Sequence, residues 1–395
     1  MGENCISCSG PANFLLLKNQ WEVTKIPKKE IVLVDVIAGA RPNLMKVSPL
    51  IVALDKQAWV KVRFISTGQH SADSMFQNVA HSLKLREPDQ IFKNVNGSQL
   101  QQLAMIVNQY EELLNNAISD VCVVVGDVTS SLACAITAAK MNIPVYHVEA
   151  GLRSFDKTMP EEINRLLIDV LSTVMYTPSI EATQNLLECG FSKESIVFVG
   201  NIMIDAFEGQ KEEILKRNIS EEYNLHAGKY IVCTFHRPSN VDNLESLNLI
   251  MNQISQLSKT LPIVLPIHPR TKSKLEYLNI SNFPGELNIK IIEPLNYIDF
   301  MSIVIDSALV ITDSGGIQEE TTYLGINCLT VRPNTERPIT ITQGTNQLIE
   351  ISEIKTAALT VLNSKSLSRK KLENWDGQTA SRIVCDMKKR LNTCN

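Results

Sequence analysis

Asp127 closes the run VCVVVGD, Glu149 closes IPVYHVE, and Glu161 and Glu162 follow Pro160. A core strand has no use for an acid at its end, but carboxylates gathered in one crevice stabilise positive charge and move protons. Helix capping is an alternative for Asp127, which precedes VTSS, and for Glu161 in a first helical turn. Glu149 is followed by the turn AGLR and has no helix to cap. His236 in CTFHRPSN and His268 in PIHPR each end an apolar run, and an arginine follows each within two residues. A lone histidine there reads as a core residue, whereas two at matching strand ends, opposite the acids, read as a site.

The stretch ITDSGGIQEE sets Ser314, Gly315 and Gly316 between an apolar run and a helix expected to begin at Ile317. Two glycines let the backbone turn and come close to a ligand, and the helix start offers unpaired N–H groups and a positive dipole end to a phosphate. Glu320, one turn in, is placed to accept from sugar hydroxyls. A plain turn capped by Asp313 or Ser314 explains the same residues without a ligand. GARPNLMK repeats the logic: Arg41 and Lys46 flank a helix start at Pro42 and read either as anion contacts or as exposed helix charges. Gln69 stands just past KVRFISTG.

These residues need a scaffold that brings strand ends together. Short β-branched runs at IVLVDVIAG, KVRFISTG, VCVVVGD, IPVYHVE and VMYTPS alternate with stretches of helical spacing, and a second series follows at YIVCTFH, PIVLPIHP, IKIIEPL, LVITD and CLTVR. The pattern predicts an α/β chain of two Rossmann-like, doubly wound domains. Residues 1–30 form an N-terminal extension. Residues 31–200 form the first domain, joined by a closing C-terminal helix at about 370–392, and residues 201–369 form the second. In open parallel sheets the ligand crevice lies beyond the carboxyl ends of the strands, so two such domains facing each other share one cleft.

Composition excludes several classes. The 395 residues carry a net charge of −4, with 44% apolar and 20% charged content, and no Lys/Arg block invites nucleic acid or an anionic membrane. FLLL near the start is too short to span a bilayer, and no run approaches eighteen apolar residues. Nine cysteines scattered through apolar segments read as reduced thiols of a cytoplasmic protein. CISC at Cys5–Cys8 has metal-ligand spacing but no second pair, and HExxH is absent, so no metal is expected.

The motifs GARPN…K, TGQH, GDVTS, HVEAGLR, PEEINR, GNIMID, HRPSN, HP, EPL, TDSGGIQEE and ERP…GTN, in this order over roughly Ile31 to Ile349, resemble those of the non-hydrolysing UDP-N-acetylglucosamine 2-epimerases. The resemblance implies a glycosyltransferase-B-like fold, a homodimer, no dissociable cofactor, and a cytoplasmic role supplying UDP-N-acetylmannosamine for surface polysaccharide. It implies catalytic roles for Asp127, Glu149, Glu161 and His236, and UDP contacts from Arg41, Lys46, His268, Ser314, Gly315, Gly316 and Glu320. Gln69, Arg237 and His268 resemble contacts for a second, activating UDP-sugar, but the position three residues past Gln69 is Ala72, which has no hydrogen-bonding side chain. Pro238 and Ser239 also depart from the residues common in the family. The same motifs suit a hydrolysing epimerase releasing N-acetylmannosamine and UDP, or an epimerase of UDP-2,3-diacetamido-glucuronate. A glycosyltransferase of this architecture and a non-catalytic UDP-sugar sensor fit the acids less well.

Overall fold

The computed structural model describes residues 29–39, 41–68, 83, 85–267, 269–277, 288–364 and 371–391. Gln69, Ala72, His268 and Cys5–Cys8 lie outside the described residues, as does the side chain of Arg41. The apolar runs form two sheets, every strand pairing of which is parallel. The first contains β1 (Val32–Ala38), β2 (Val60–Ser66), β3 (Gln90–Ile91), β4 (Val121–Val125), β5 (Val145–Val148), β6 (Val174–Thr177) and β7 (Ile196–Phe198) in the order β3-β2-β1-β4-β5-β6-β7. The second contains β8 (Ile231–Thr234), β9 (Ile263–Pro266), β10 (Ile289–Ile292), β11 (Leu309–Thr312), β12 (Cys328–Val331) and β13 (Asn346–Ile349) in the order β10-β9-β8-β11-β12-β13. Central strands read as unbroken apolar runs because helices cover both faces; every residue of β4, for example, is buried.

Both sheets reverse their winding in the middle, between β1 and β4 in the first and between β8 and β11 in the second. Such switch points open the crevices in which α/β proteins hold ligands. Lys46 lies on the helix Arg41–Leu54 that follows β1, and Asp127 follows β4. His236 follows β8 and Ser314 follows β11, so each pair of predicted residues flanks a switch point. The architecture is two Rossmann-like units facing a cleft, in the glycosyltransferase-B-like manner. β3, β7 and β13 add to the ten expected strands, and all three are edge strands.

The chain crosses between the sheets twice, side by side. At Gly200 the backbone adopts φ +94°, and a Cβ there would lie 2.0 Å from the carbonyl oxygen of Asn374 in the returning segment. Only glycine permits that approach. The returning chain is pinned by the Trp375 indole, which donates to the Pro178 carbonyl at 3.1 Å. Asp205 accepts from the Thr379 and Ala380 amides at 3.1 and 2.8 Å, fixing the start of the helix Thr379–Arg390. That helix then buries Ile383 and Met387 among Val34, Leu50 and Ile51 of the first sheet's core.

Candidate active site

In the first unit, the turn after β1 is tied to the end of β4. Asn43 accepts from the Gly39 amide at 2.9 Å and donates to the Val125 carbonyl at 2.8 Å, which aims Lys46 at the strand ends. Glu149 adopts φ +73°, a left-handed conformation that costs a non-glycine residue of order 1 kcal/mol and is held by its surroundings. Its amide donates to the Tyr176 carbonyl at 3.0 Å. One turn wall is set by His147, whose ring hydrogen-bonds Asp169 at 2.7 Å and the Gly126 carbonyl at 3.1 Å. The strained turn presents the Glu149 carboxylate to Lys46, which donates to Oε2. Gly126 supplies the room, since a Cβ there would stand 3.3 Å from that same oxygen.

Asp127 pairs with Arg165 of the helix Pro160–Leu171. Arg165 also donates to Glu162 at 3.0 Å, and Glu162 accepts from the Ser154 amide and hydroxyl at 2.9 Å each. Glu161 is exposed on the first turn of that helix and takes no part in this network, while its neighbour Glu162 is buried. The structure therefore brings Asp127, Glu149 and Lys46 together and sets Glu161 apart from them.

In the second unit Asp313 organises the turn after β8. It accepts from the His236 amide at 3.1 Å, the Arg237 amide at 3.0 Å and the Asn240 side chain at 3.1 Å, and it pairs with His236 Nδ1 at 3.1 Å. Burial alone would raise this carboxyl, but the hydrogen bond and charge of His236 and the donors from Arg237 and Asn240 hold it below the usual range. The His236 side chain is left 44% exposed, facing outward from the strand end. The helix expected from Ile317 starts earlier, at Gly315, with Ser314 at its N-cap position and no capping hydrogen bond from the Ser314 side chain. Gly315 and Gly316 are ordinary helical residues with negative φ, so the turn itself needs no glycine. Space is the reason instead: a Cβ on Gly315 would lie 2.9 Å from Glu336 Oε1 and 3.1 Å from Arg337 Nη1, whereas one on Gly316 would meet nothing within 4 Å. Gly316 faces open room beside the helix start.

Next to Ser314 lies a cavity of about 170 Å³ walled by Phe235, Pro266, Leu295, Phe300 and Ile317. One helical turn beyond Ile317 is Glu320, buried, with Oε1 accepting from the Tyr297 phenol at 2.6 Å. Burial pushes the Glu320 carboxyl up to about 7 against the opposing effect of Tyr297.

Arg337 joins the two units. Its Nη2 donates to Glu149 at 2.9 Å, its Nη1 to Glu336, and its Nε lies 2.9 Å from Glu319. Glu319 also accepts from Asn201, at the chain crossing, at 2.9 Å. Four carboxylates feel this guanidinium, Asp127 included, and their charge outweighs burial to raise its pKa well above the ordinary value. Reciprocally, burial would raise Asp127, but Arg165, Lys46 and Arg337 hold it below the usual range. Arg332 donates to Glu336 at 2.9 Å, while its buried Nε and Nη1 find no acceptor among the described residues. Sequence spacing did not single out Arg165, Glu319, Arg332, Glu336 or Arg337. The signal was present, since Glu162, Arg165 and Asp169 share one helical face and Glu336–Arg337 fall inside the ERP motif.

The profile of the UDP-N-acetylglucosamine 2-epimerase family matches residues 52–388. The UDP-N-acetylglucosamine 2-epimerase of Methanocaldococcus jannaschii is 36% identical over 360 residues, covering 88% of this chain and 97% of that protein. Its counterpart in Methanococcus maripaludis is 38% identical over 323 residues, covering 80% and 87%. The crystal structure of the M. jannaschii enzyme in complex with UDP-GlcNAc and UDP superimposes with a TM-score of 0.81 over 90% of this chain and 99% of that one. With both switch points and the motifs along them accounted for, this chain belongs to the UDP-N-acetylglucosamine 2-epimerase family of isomerases.

Proposed function

We propose that the chain interconverts UDP-N-acetylglucosamine and UDP-N-acetylmannosamine by eliminating UDP and adding it back, without net release of free sugar. The hydrogen on C2 has no neighbouring carbonyl to acidify it, so direct deprotonation is slow. Breaking the C1–O bond first places positive charge at C1, and UDP leaves with the bonding electrons. Carboxylates facing the ring stabilise that charge, and one takes the C2 proton to leave a C1–C2 double bond, giving 2-acetamidoglucal. Return of a proton to the opposite face of C2 and attack of UDP on C1 give the epimer.

The observation that carries this reading is the position of Glu149: it is strained into the cleft, and Lys46 and Arg337 grip it from opposite units beside Asp127. Acids held among cations suit a site where a cation-like sugar and a departing diphosphate are handled together. In this reading Asp127 and Glu149 face the sugar. Glu161 and His236 act from the cleft rim, reaching substrate when the units close. Arg41, Lys46, His268 and the helix start at Ser314–Gly316 receive the diphosphate. The apolar cavity beside Ser314 accepts the base, and Glu320 accepts the ribose hydroxyls. Closing brings residues 31–200, with the terminal helix, against residues 201–369. Gln69, Arg237 and His268 form the second UDP-sugar site, with Ala72 weakening it. The enzyme works in the cytoplasm without a cofactor, as a homodimer. An exposed apolar stripe on the helix Pro160–Leu171, formed by Ile163, Leu167 and Val170, supports self-association.

Incubation with UDP-N-acetylglucosamine in deuterated water, followed by NMR, tests the chemistry. Deuterium is expected at C2, with UDP-N-acetylmannosamine accumulating. Free sugar released at the rate of turnover would point to a hydrolysing epimerase instead.

A further inference from the structure

We propose that Tyr297 is a positioning residue for ribose recognition: its phenol orients the Glu320 carboxylate, and the pair distinguishes a ribonucleoside diphosphate from its 2′-deoxy counterpart. The inference rests on the reading of Ser314–Glu320 as the nucleotide site and deepens it. The cavity beside Ser314 has walls on two helices, Phe300 on Tyr297–Ile305 and Ile317 on Gly315–Leu324. Tyr297 and Glu320 are each one turn from those wall residues, and their 2.6 Å hydrogen bond ties the two helices together. A nucleobase in the apolar cavity therefore brings its sugar toward the carboxylate.

A buried carboxylate on a flexible side chain selects hydroxyls only if it is held in one orientation. Tyr297 supplies that restraint. Its ring packs against the apolar clusters of both sheets, so the phenol approaches Glu320 Oε1 from a fixed direction. With one oxygen so engaged, the carboxylate keeps its remaining lone pairs in register for a ribose diol. Loss of the phenol leaves the same charge free to rotate, and selection for the 2′-hydroxyl falls while diphosphate binding persists.

Calorimetry with UDP and 2′-deoxy-UDP on the full chain tests this. The parent is expected to bind UDP about tenfold or more tightly than 2′-deoxy-UDP, the size of a hydrogen bond to a charged acceptor. Tyr297→Phe should reduce that ratio to about threefold or less while the melting temperature stays near the parent's, and in a Glu320→Gln background it should change the ratio no further. If the parent discriminates and Tyr297→Phe keeps the full ratio, Tyr297 does not position Glu320, although the ribose reading stands. A parent that binds both nucleotides equally removes the ribose role of Glu320 and the proposal with it. Should Tyr297→Phe fail to fold, 3-fluorotyrosine at position 297 keeps the shape and strengthens the donor. A raised ratio then supports the proposal, and an unchanged ratio overturns it.

Discussion

The acids at the first switch point are paired with cations, and so is Asp313 at the second, through His236, whereas Glu320 just beyond it is not. Around β4 and β5 every acid is matched by a cation: Asp127 by Arg165, Glu149 by Lys46 and Arg337, and the half-buried Asp127 is held below the usual range by these charges. Beyond β11, Glu320 has a tyrosine for its partner, and burial lifts its carboxyl to about 7. A carboxylate locked among cations responds to charge developing on a sugar, whereas one paired with a phenol suits neutral hydroxyls. Under the proposed function the same side chain serves reaction on one side of the cleft and recognition on the other, and its partners make the difference.

The contrast is broken most sharply at Glu149. Glu149→Gln keeps the shape but cannot take a proton, so turnover should fall by about 10²–10⁴-fold while UDP affinity measured by calorimetry stays near the parent's. Unchanged turnover would return Glu149 to a structural role. Next in size is Arg337→Met, which strands Glu149, Glu319 and Glu336 without their shared cation. Denaturant unfolding should show a loss of about 3–5 kcal/mol, and a loss under 1 kcal/mol would mean that the junction between the units does not depend on this residue.

Glu320 gives a pH test of opposite sign. Its carboxyl protonates near 7 in the fold and near about 4.3 in an unfolded chain. The folded state therefore holds the proton more tightly. The stability this contributes is fully present below the unfolded value and is lost as pH rises through about 7. Glu320→Gln removes that loss, so the variant should gain on the order of 3 kcal/mol over the parent at pH 8 relative to pH 4. Parallel melting curves for the two proteins across that range would sink the assignment. The smallest effects separate the two glycines. Gly315→Ala pushes a methyl against Glu336 and Arg337 and should cost about 1–3 kcal/mol. Gly316→Ala points into open room and should be neutral or gain up to about 1 kcal/mol, yet weaken UDP binding. Equal melting shifts in the two variants would contradict the geometry.

The central strands were legible in the sequence because burial on both faces writes them as continuous β-branched runs. β3, β7 and β13 were not: QI, IVF and NQLI are edge segments too short or too exposed to stand out, whereas the apolar run at the edge strand β10 was read. Asp127 and Glu149 stood out because acids at the ends of apolar strands have no packing explanation. Arg337 did not, because a charged residue in a loop after β12 looks like any surface arginine until the fold brings Glu149 from 188 residues away. The adjacent pair Glu161–Glu162 shows the limit of motif reading: helical phase turns Glu162 inward to Arg165 and Glu161 outward, and a motif quoted as letters does not carry phase.

The two crossings at Gly200 and Asn374 act like two hinge pins set on one line. A single connector would let the units twist and slide as well as swing; two touching connectors, one of them locked by a glycine contact and the other by Trp375, leave rotation about their common axis. Because the pins lie together, a small angle at the hinge becomes a large gap at the far lip of the cleft. For the proposed elimination, opening to exchange nucleotide and sealing around the detached sugar fragment would then be the two ends of one swing, with no need to rebuild either sheet.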